Sequence, residues 1–199
     1  MENFKIFNKW DISSIKVDDS GLQKYITLRP ILIPRSQGRY THNRFYKSKT
    51  NIVERLINKV LVTGHRGKKH VISSGQNTGK VLKATGIVIS CFDIIEQKTK
   101  QNPVAVFVKA LELAAPREEI VTVEYGGARY TKQVETPPQR RIDLALRYFT
   151  QGARQKSFNA KRSMAMALAD EILNAFNASN QSFAISKKIE LERQADASR

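Results

Sequence analysis

From Asn51 onward, apolar side chains return every three or four positions, the period of a helix with one buried face. A first helix is expected to begin near Thr50 or Asn51, either of which can cap it, with Ile52, Val53, Leu56, Ile57 and Val60 inward. Gly64 and the tract HRGKKH end it. A second, about Lys80–Lys98, buries Ala84, Ile87, Val88, Cys91, Ile94 and Ile95. A third starts at Pro103, the favoured first position for proline, buries Val104, Phe107, Val108 and Leu111, and stops at Pro116. Pro137-Pro138 break the strand before them and start a fourth, with Ile142, Ala145, Leu146 and Phe149 inward. A fifth is expected over about Asn159–Ala178, and SFAISKKIELERQAD predicts a sixth, amphipathic and weaker.

The period changes once. EEIVTVEY and ARYTKQVE alternate as strands do and flank Gly126-Gly127, a pair suited to the positive φ angles of a two-residue hairpin loop. Neither strand has a fully apolar face, so the ribbon packs at best by its base, and eight residues a strand at ~3.3 Å each carry its tip roughly 25 Å outward. A ribbon so exposed calls for a partner. Before Asn51 no period holds. VDDSGL reads as a turn, KYITL as a strand or extended chain, and RPILIPRSQGRY as an ordered arm without helix. VISSGQNTGK reads as a polar loop, with a short strand at Val71–Ile72 as an option. The pattern is mainly α: about six helices in a bundle, one β-hairpin (117–136) protruding between the third and fourth, and a basic N-terminal extension. Residues 1–49 form that extension and 50–199 the helical domain.

At 41% hydrophobic the 199 residues can build one packed core. No apolar run approaches 18 residues, so no membrane partner is expected. The opening MENFKIFNKWDISS carries neither a signal core nor a transit pattern. A single cysteine, Cys91, excludes an intramolecular disulfide and fits a reducing cytoplasm. Charge changes the picture most. The net charge of +16 lies in two blocks: residues 29–80 hold twelve basic residues against Glu54, and residues 139–163 hold seven against Asp143. Elsewhere the signs nearly cancel, so the blocks form a footprint for a polyanion.

Conventional reaction chemistry is hard to find. GQNTGK has three residues between its glycines and Val81 after the lysine, where a phosphate-binding loop needs four and then a hydroxyl. Three scattered histidines (His42, His65, His70) and one cysteine do not make a zinc site, and no nucleophile has a base beside it. No cofactor, metal or catalytic residue is expected. The arginines stand out instead. Arg140 and Arg147 share a helical face two turns apart with Arg141 flanking, and a guanidinium fork holds two phosphate oxygens at once. RSQGRYTHNRFYKSK interleaves basic and aromatic residues, which allows stacking on unpaired bases; Tyr40, Phe45 and Tyr46 fit equally well folded back on the core.

Several stretches together resemble a known family. NPVAVFVKALELAAPRE, YGGARYTKQVETPPQRRIDLALRYF and NIVERLINKV, with NKWDISSIKVDD and SFAISKKIELERQADASR at the two ends, are similar to the seventh small-subunit ribosomal protein family in its archaeal and eukaryotic form. The resemblance runs from about Phe7 to Arg199 and is most specific from Pro103 to Phe149. It implies a six-helix bundle with a ribbon, binding to the 3′ major domain of small-subunit ribosomal RNA, and nucleation of the subunit's head. The RNA-gripping residues it implies lie from Arg35 to Lys69 and along Arg140–Arg162. In the arm they are Arg35, Arg39, Arg44, Lys47 and Lys49, followed by Arg66, Lys68 and Lys69. In the second block they are Arg140, Arg141, Arg147, Arg154, Lys161 and Arg162. The ribbon tip, Tyr125, Gly126, Gly127, Ala128 and Arg129, is implied to lie near exit-site transfer RNA and the outgoing messenger. A neighbouring small-subunit protein, the eleventh, is an implied contact. Glu118, Glu119 and Glu124 beside only Arg117, Arg129 and Lys132 depart from a strongly basic ribbon and point to recognition by shape. From another class, a helical DNA-binding regulator is the alternative, against which stand the lone ribbon and charge spread over two distant segments.

Overall fold

The computed structural model describes residues 4–66, 69–70 and 77–198, with the side chains of 65, 66, 69 and 70 outside that description. Six long helices stand where the periodicity places them: α2 (Ile52–Val60), α3 (Val81–Thr99), α4 (Pro103–Ala114), α5 (Pro138–Ser157), α6 (Met164–Phe176) and α7 (Phe183–Asp196). Their starts follow local chemistry. Asn51, Asn102, Ser163 and Ser182 each accept a backbone N–H of the first turn, and prolines open α4 and α5. Three local expectations change. VDDSGL runs into a one-turn helix, α1 (Ser20–Gln23), which Asp19 caps by accepting the Gly21 N–H on Oδ1 at 2.8 Å. The fifth long helix begins at Met164, not Asn159. Asn159 takes the left-handed conformation (φ 52°), and Ser163 is the residue that caps. The arm folds into two 3-10 turns, Arg39–His42 and Tyr46–Lys49. His65–Arg66 (β1) pairs antiparallel with Lys69–His70 (β2), while the expected strand at Val71–Ile72 lies outside the described residues.

The core is one cluster spanning the chain from Ile6 to Ile185. Ile6, Trp10, Ile12, Leu22 and Ile26, from the aperiodic N-terminal segment, are buried in it with the helices. A chain of aromatic contacts, Phe7–Trp10–Phe92–Phe107–Phe149, crosses it with ring centroids 5.6 to 6.5 Å apart. Trp10 pins this end by donating its Nε1–H to Glu96 at 2.9 Å. Small residues on α6 (Ala167, Ala169, Ala175) let α3, α4, α5 and α7 close around it. Gly152 on α5 is needed for the same reason: a Cβ there would lie 2.7 Å from Phe183 Cβ and 3.0 Å from Glu171 Cδ. Glu171 is fully buried yet saturated, accepting from Lys156 (2.7 Å), the Ser182 hydroxyl (2.7 Å) and the Ala184 N–H (3.1 Å). That carboxylate ties α5, α6 and the start of α7 together, which is structural work for a buried charge.

The ribbon, β3 (Glu118–Tyr125) and β4 (Ala128–Glu135), lies between α4 and α5 and pairs in register from Glu118↔Glu135 to Tyr125↔Ala128. Gly126 (φ 58°) and Gly127 (φ 84°) supply the two left-handed residues that a loop of this length requires. Only its base is packed. Arg117 N–H donates to Glu192 on α7 at 3.0 Å, and every residue from Val121 to Tyr130 is exposed. Alternation puts Val121, Val123, Tyr125, Ala128 and Tyr130 on one side and Thr122, Glu124, Arg129 and Thr131 on the other, with Glu119 and Lys132 interrupting the apolar side.

Candidate nucleic-acid interface

The two basic blocks, separate in sequence, meet at one carboxylate. Asp143 on α5 accepts from Lys47 of the second 3-10 turn at 2.6 Å and from Arg55 of α2 at 3.3 Å. The Arg55 side chain is only 2% exposed, and its second hydrogen bond goes to the Tyr25 carbonyl at 3.2 Å. Burial alone would raise the Asp143 carboxyl. The Lys47 hydrogen bond and the charges of Arg55, Lys47 and Lys59 outweigh it and hold the group below the ordinary aspartate range. Lys59 feels the opposite balance. Burial first, then the positive charges of Lys47, Arg147 and Arg55, press its ammonium down, with Asp143 only partly offsetting them. One acid thus faces three cations, and neither Lys59 nor Arg147, whose charge bears on Lys59, forms an ion pair among the described residues. A groove of about 270 Å³ opens here, walled by Tyr40, Lys47, Asn58, Lys59 and Asp143.

At the N-terminal end of α5 the arginines are spent differently. Arg140 holds both carboxylate oxygens of Glu119 with its Nε–H, at 2.6 and 2.8 Å. Arg141 turns inward, 11% exposed, and donates to Asp19 at 2.9 Å, tying α1 to α5. The face expected to carry Arg140, Arg141 and Arg147 together is therefore split: of the three, Arg147 alone is exposed with no ion pair among the described residues. Farther along, Arg154 lies over the Phe158 ring (4.6 Å to the centroid), Arg162 pairs with Asp170, and Lys161 is exposed.

In the arm, Arg35, Arg39, Arg44 and Lys49 are all exposed, and the aromatics interleaved with them carry the cations: Arg44 over Phe45 and Lys49 over Tyr46, at 5.6 and 4.4 Å. Arg66 and Lys69 are described by their backbone only, and Lys68 lies outside the described residues. At the ribbon tip Tyr125 is 81% exposed, Gly126 and Gly127 have open space around them, and Arg129 faces Glu124 at 3.6 Å. Lys59, which the sequence did not single out, faces the groove beside Asp143; its position in the first basic block was the available signal, but no motif separated it from Arg55, which is structural. Among the described residues no group of three His, Cys, Asp or Glu side chains could hold a metal ion, and no helix is long and apolar enough to cross a membrane.

Residues 22–199 match the family Ribosomal protein S7p/S5e. The chain is 51% identical over 195 residues to the small ribosomal subunit protein uS7 of Nanoarchaeum equitans, covering 98% of each. It is 47% identical to that of Methanosphaera stadtmanae, covering 97% of each, and 46% identical to that of Archaeoglobus fulgidus, covering 100% of this chain and 96% of the other.

Proposed function

The chain belongs to the ribosomal protein S7p/S5e family, and from that premise we propose that it is a structural constituent of the small ribosomal subunit that binds the 3′ major domain of its RNA and nucleates assembly of the head. The family is one of ribosomal proteins, not enzymes, and the chain's place of work is the ribosome in the cytoplasm. The observation that carries the reading is the convergence of Lys47, Arg55 and Lys59 on a single acid, with Arg147 exposed and in no ion pair among the described residues, which leaves a face whose positive charges await an external polyanion. The contact set comprises Arg35, Arg39, Arg44, Lys47 and Lys49 in the arm, Arg66, Lys68 and Lys69 beyond α2, and Lys59, Arg147, Arg154 and Lys161 on the helical frame. Arg140 and Arg162 join it only by exchanging a carboxylate for a phosphate. Arg141 and Arg55 hold the frame. The exposed ribbon tip reaches exit-site transfer RNA and the messenger, and the eleventh small-subunit protein is a neighbour across the messenger's path.

A competition titration at ~150 mM salt tests this, because non-specific phosphate binding weakens steeply with salt. Labelled 3′ major domain RNA is challenged with unlabelled duplex DNA and an unrelated folded RNA. Resistance to both at large excess is expected. Equal displacement by both would reduce the face to a positive surface, and selective displacement by duplex DNA would favour a DNA-binding protein.

A further inference from the structure

The arm does more than display charge, because it closes a second groove against α2. The Ser36 N–H and hydroxyl both donate to Glu54 Oε1, at 2.8 and 2.5 Å, and fasten the arm over the first turns of that helix. The groove is open to solvent and holds about 350 Å³. Its walls are largely apolar, from Ile31, Ile33, Tyr40 and Tyr46, while Arg29, Arg35, Arg39 and Lys49 stand around it. A surface meant only to neutralise phosphates has no use for an apolar recess. Glu54, 7% exposed, lies inside the groove, so a phosphate is repelled from the interior and drawn to the cations around it. A flat, uncharged ring with an anionic chain attached satisfies both conditions at once. Tyr40 and Thr50 line this groove and also the Lys47–Lys59 groove, so the two adjoin.

We infer that the arm groove receives one unpaired nucleotide of single-stranded RNA: its base enters between the isoleucines and Tyr46, and its phosphates follow the adjoining groove past Lys47 and Lys59. The occupant is single-stranded because a base held in a duplex presents only its edge and cannot enter a recess. Stacking of the base on Tyr46 and apolar contact with Ile33 favour binding by shape, so every base has some affinity. This rests on the reading of the protein as an RNA binder and adds to it a site where the base, not the backbone, is held.

Fluorescence anisotropy of the full-length protein with two labelled tetranucleotides, at ~150 mM salt, tests it. One is tetraadenylate and the other an abasic ribose-phosphate strand of the same charge. Tetraadenylate is expected to bind about tenfold more tightly or better, as base stacking allows. Tyr46→Ala and Ile33→Asp, both at exposed positions, should each bring that ratio towards one, with circular dichroism confirming that the variants fold. Equal affinities of the wild-type protein for the two strands would overturn the base site, and so would a ratio that neither variant changes. Labelled 3′ major domain RNA is measured alongside. If it binds tightly while the two tetranucleotides bind alike, only the base site fails; if it does not bind either, the RNA-binding reading beneath it fails as well.

Discussion

The N-terminal end of α5 and the face around Asp143 are barely a turn apart on one helix, and they use positive charge in opposite ways. At the helix start each arginine has its own acid: Arg140 has Glu119 and Arg141 has Asp19. At Asp143 one acid is shared by Lys47 and Arg55, and Lys59 and Arg147 are left over. The difference shows that a run of basic residues is not itself a footprint. Arg141 and Arg55 count towards the formal net charge while serving the core. A shared acid also fixes the geometry of the open cations. Asp143 draws the arm, α2 and α5 together, so that charges distant in sequence face one groove.

Removing the shared acid should have the largest effect. Asp143→Ala leaves Arg55 buried and unpaired, and about 3 kcal/mol of stability should be lost in urea denaturation. A loss under about 1 kcal/mol would mean that Asp143 acts as a surface acid. On the other side of the comparison, Arg141→Ala removes a one-to-one pair at the edge of the core and should cost about 1 kcal/mol. Its affinity for the RNA should stay within about twofold of wild type, as for other substitutions outside the contacts. A large affinity loss with unchanged stability would move Arg141 into the interface.

Acid should weaken both clusters together. Asp143 and Asp19 have carboxyls held below their ordinary value of 3.8, each against an opposing burial cost, by Lys47, Arg55 and Lys59 in one case and by Arg141 in the other. Below that value the unfolded chain takes up protons that the folded chain does not. The stability these groups contribute is therefore present above pH 4 or so and is lost as pH falls through their folded values. Denaturation across this range should show stability declining with acid, and in Asp143→Asn the decline should be shallower. An equal slope in that variant would place the linkage elsewhere.

The smallest effect is expected at the ribbon. Deleting Glu124, Tyr125, Ala128 and Arg129 keeps Gly126-Gly127 as the loop, now between Val123 and Tyr130, and preserves the register. Because those residues are exposed, stability should change by under about 0.5 kcal/mol. Exit-site transfer RNA occupancy on reconstituted subunits should fall. A cooperative loss of stability would show the ribbon to be part of the core.

Much of the fold was legible because prolines and caps mark it locally. Pro103 and Pro138 locate two helix starts, and the spacing of Val104, Phe107, Val108 and Leu111 locates a buried face. Asn159 misled because it can cap as well as Ser163, and the apolar period beyond does not choose between them. The N-terminal segment hid its role for another reason. Ile6, Trp10 and Ile12 enter the core from irregular chain, and irregular chain has no period to read. The site was legible in sign but not in pairing. Lys47 and Asp143 are 96 positions apart, and Arg141 and Asp19 are 122 apart, so no local pattern could distinguish the open arginines from the occupied ones.

If unused charge, not total charge, contacts the RNA, the salt dependence of affinity for 3′ major domain RNA should differ between two double variants. Lys59→Ala with Arg147→Ala removes two cations from the open face, while Arg140→Ala with Arg141→Ala removes two paired ones. Each phosphate contact contributes roughly one unit to the slope of log affinity against log salt. The first pair should therefore flatten the slope by about two, and the second should leave it near the wild-type value. Equal flattening by both pairs would contradict the account, since it would mean that the RNA responds to the whole positive charge of α5 regardless of how the fold has already used it.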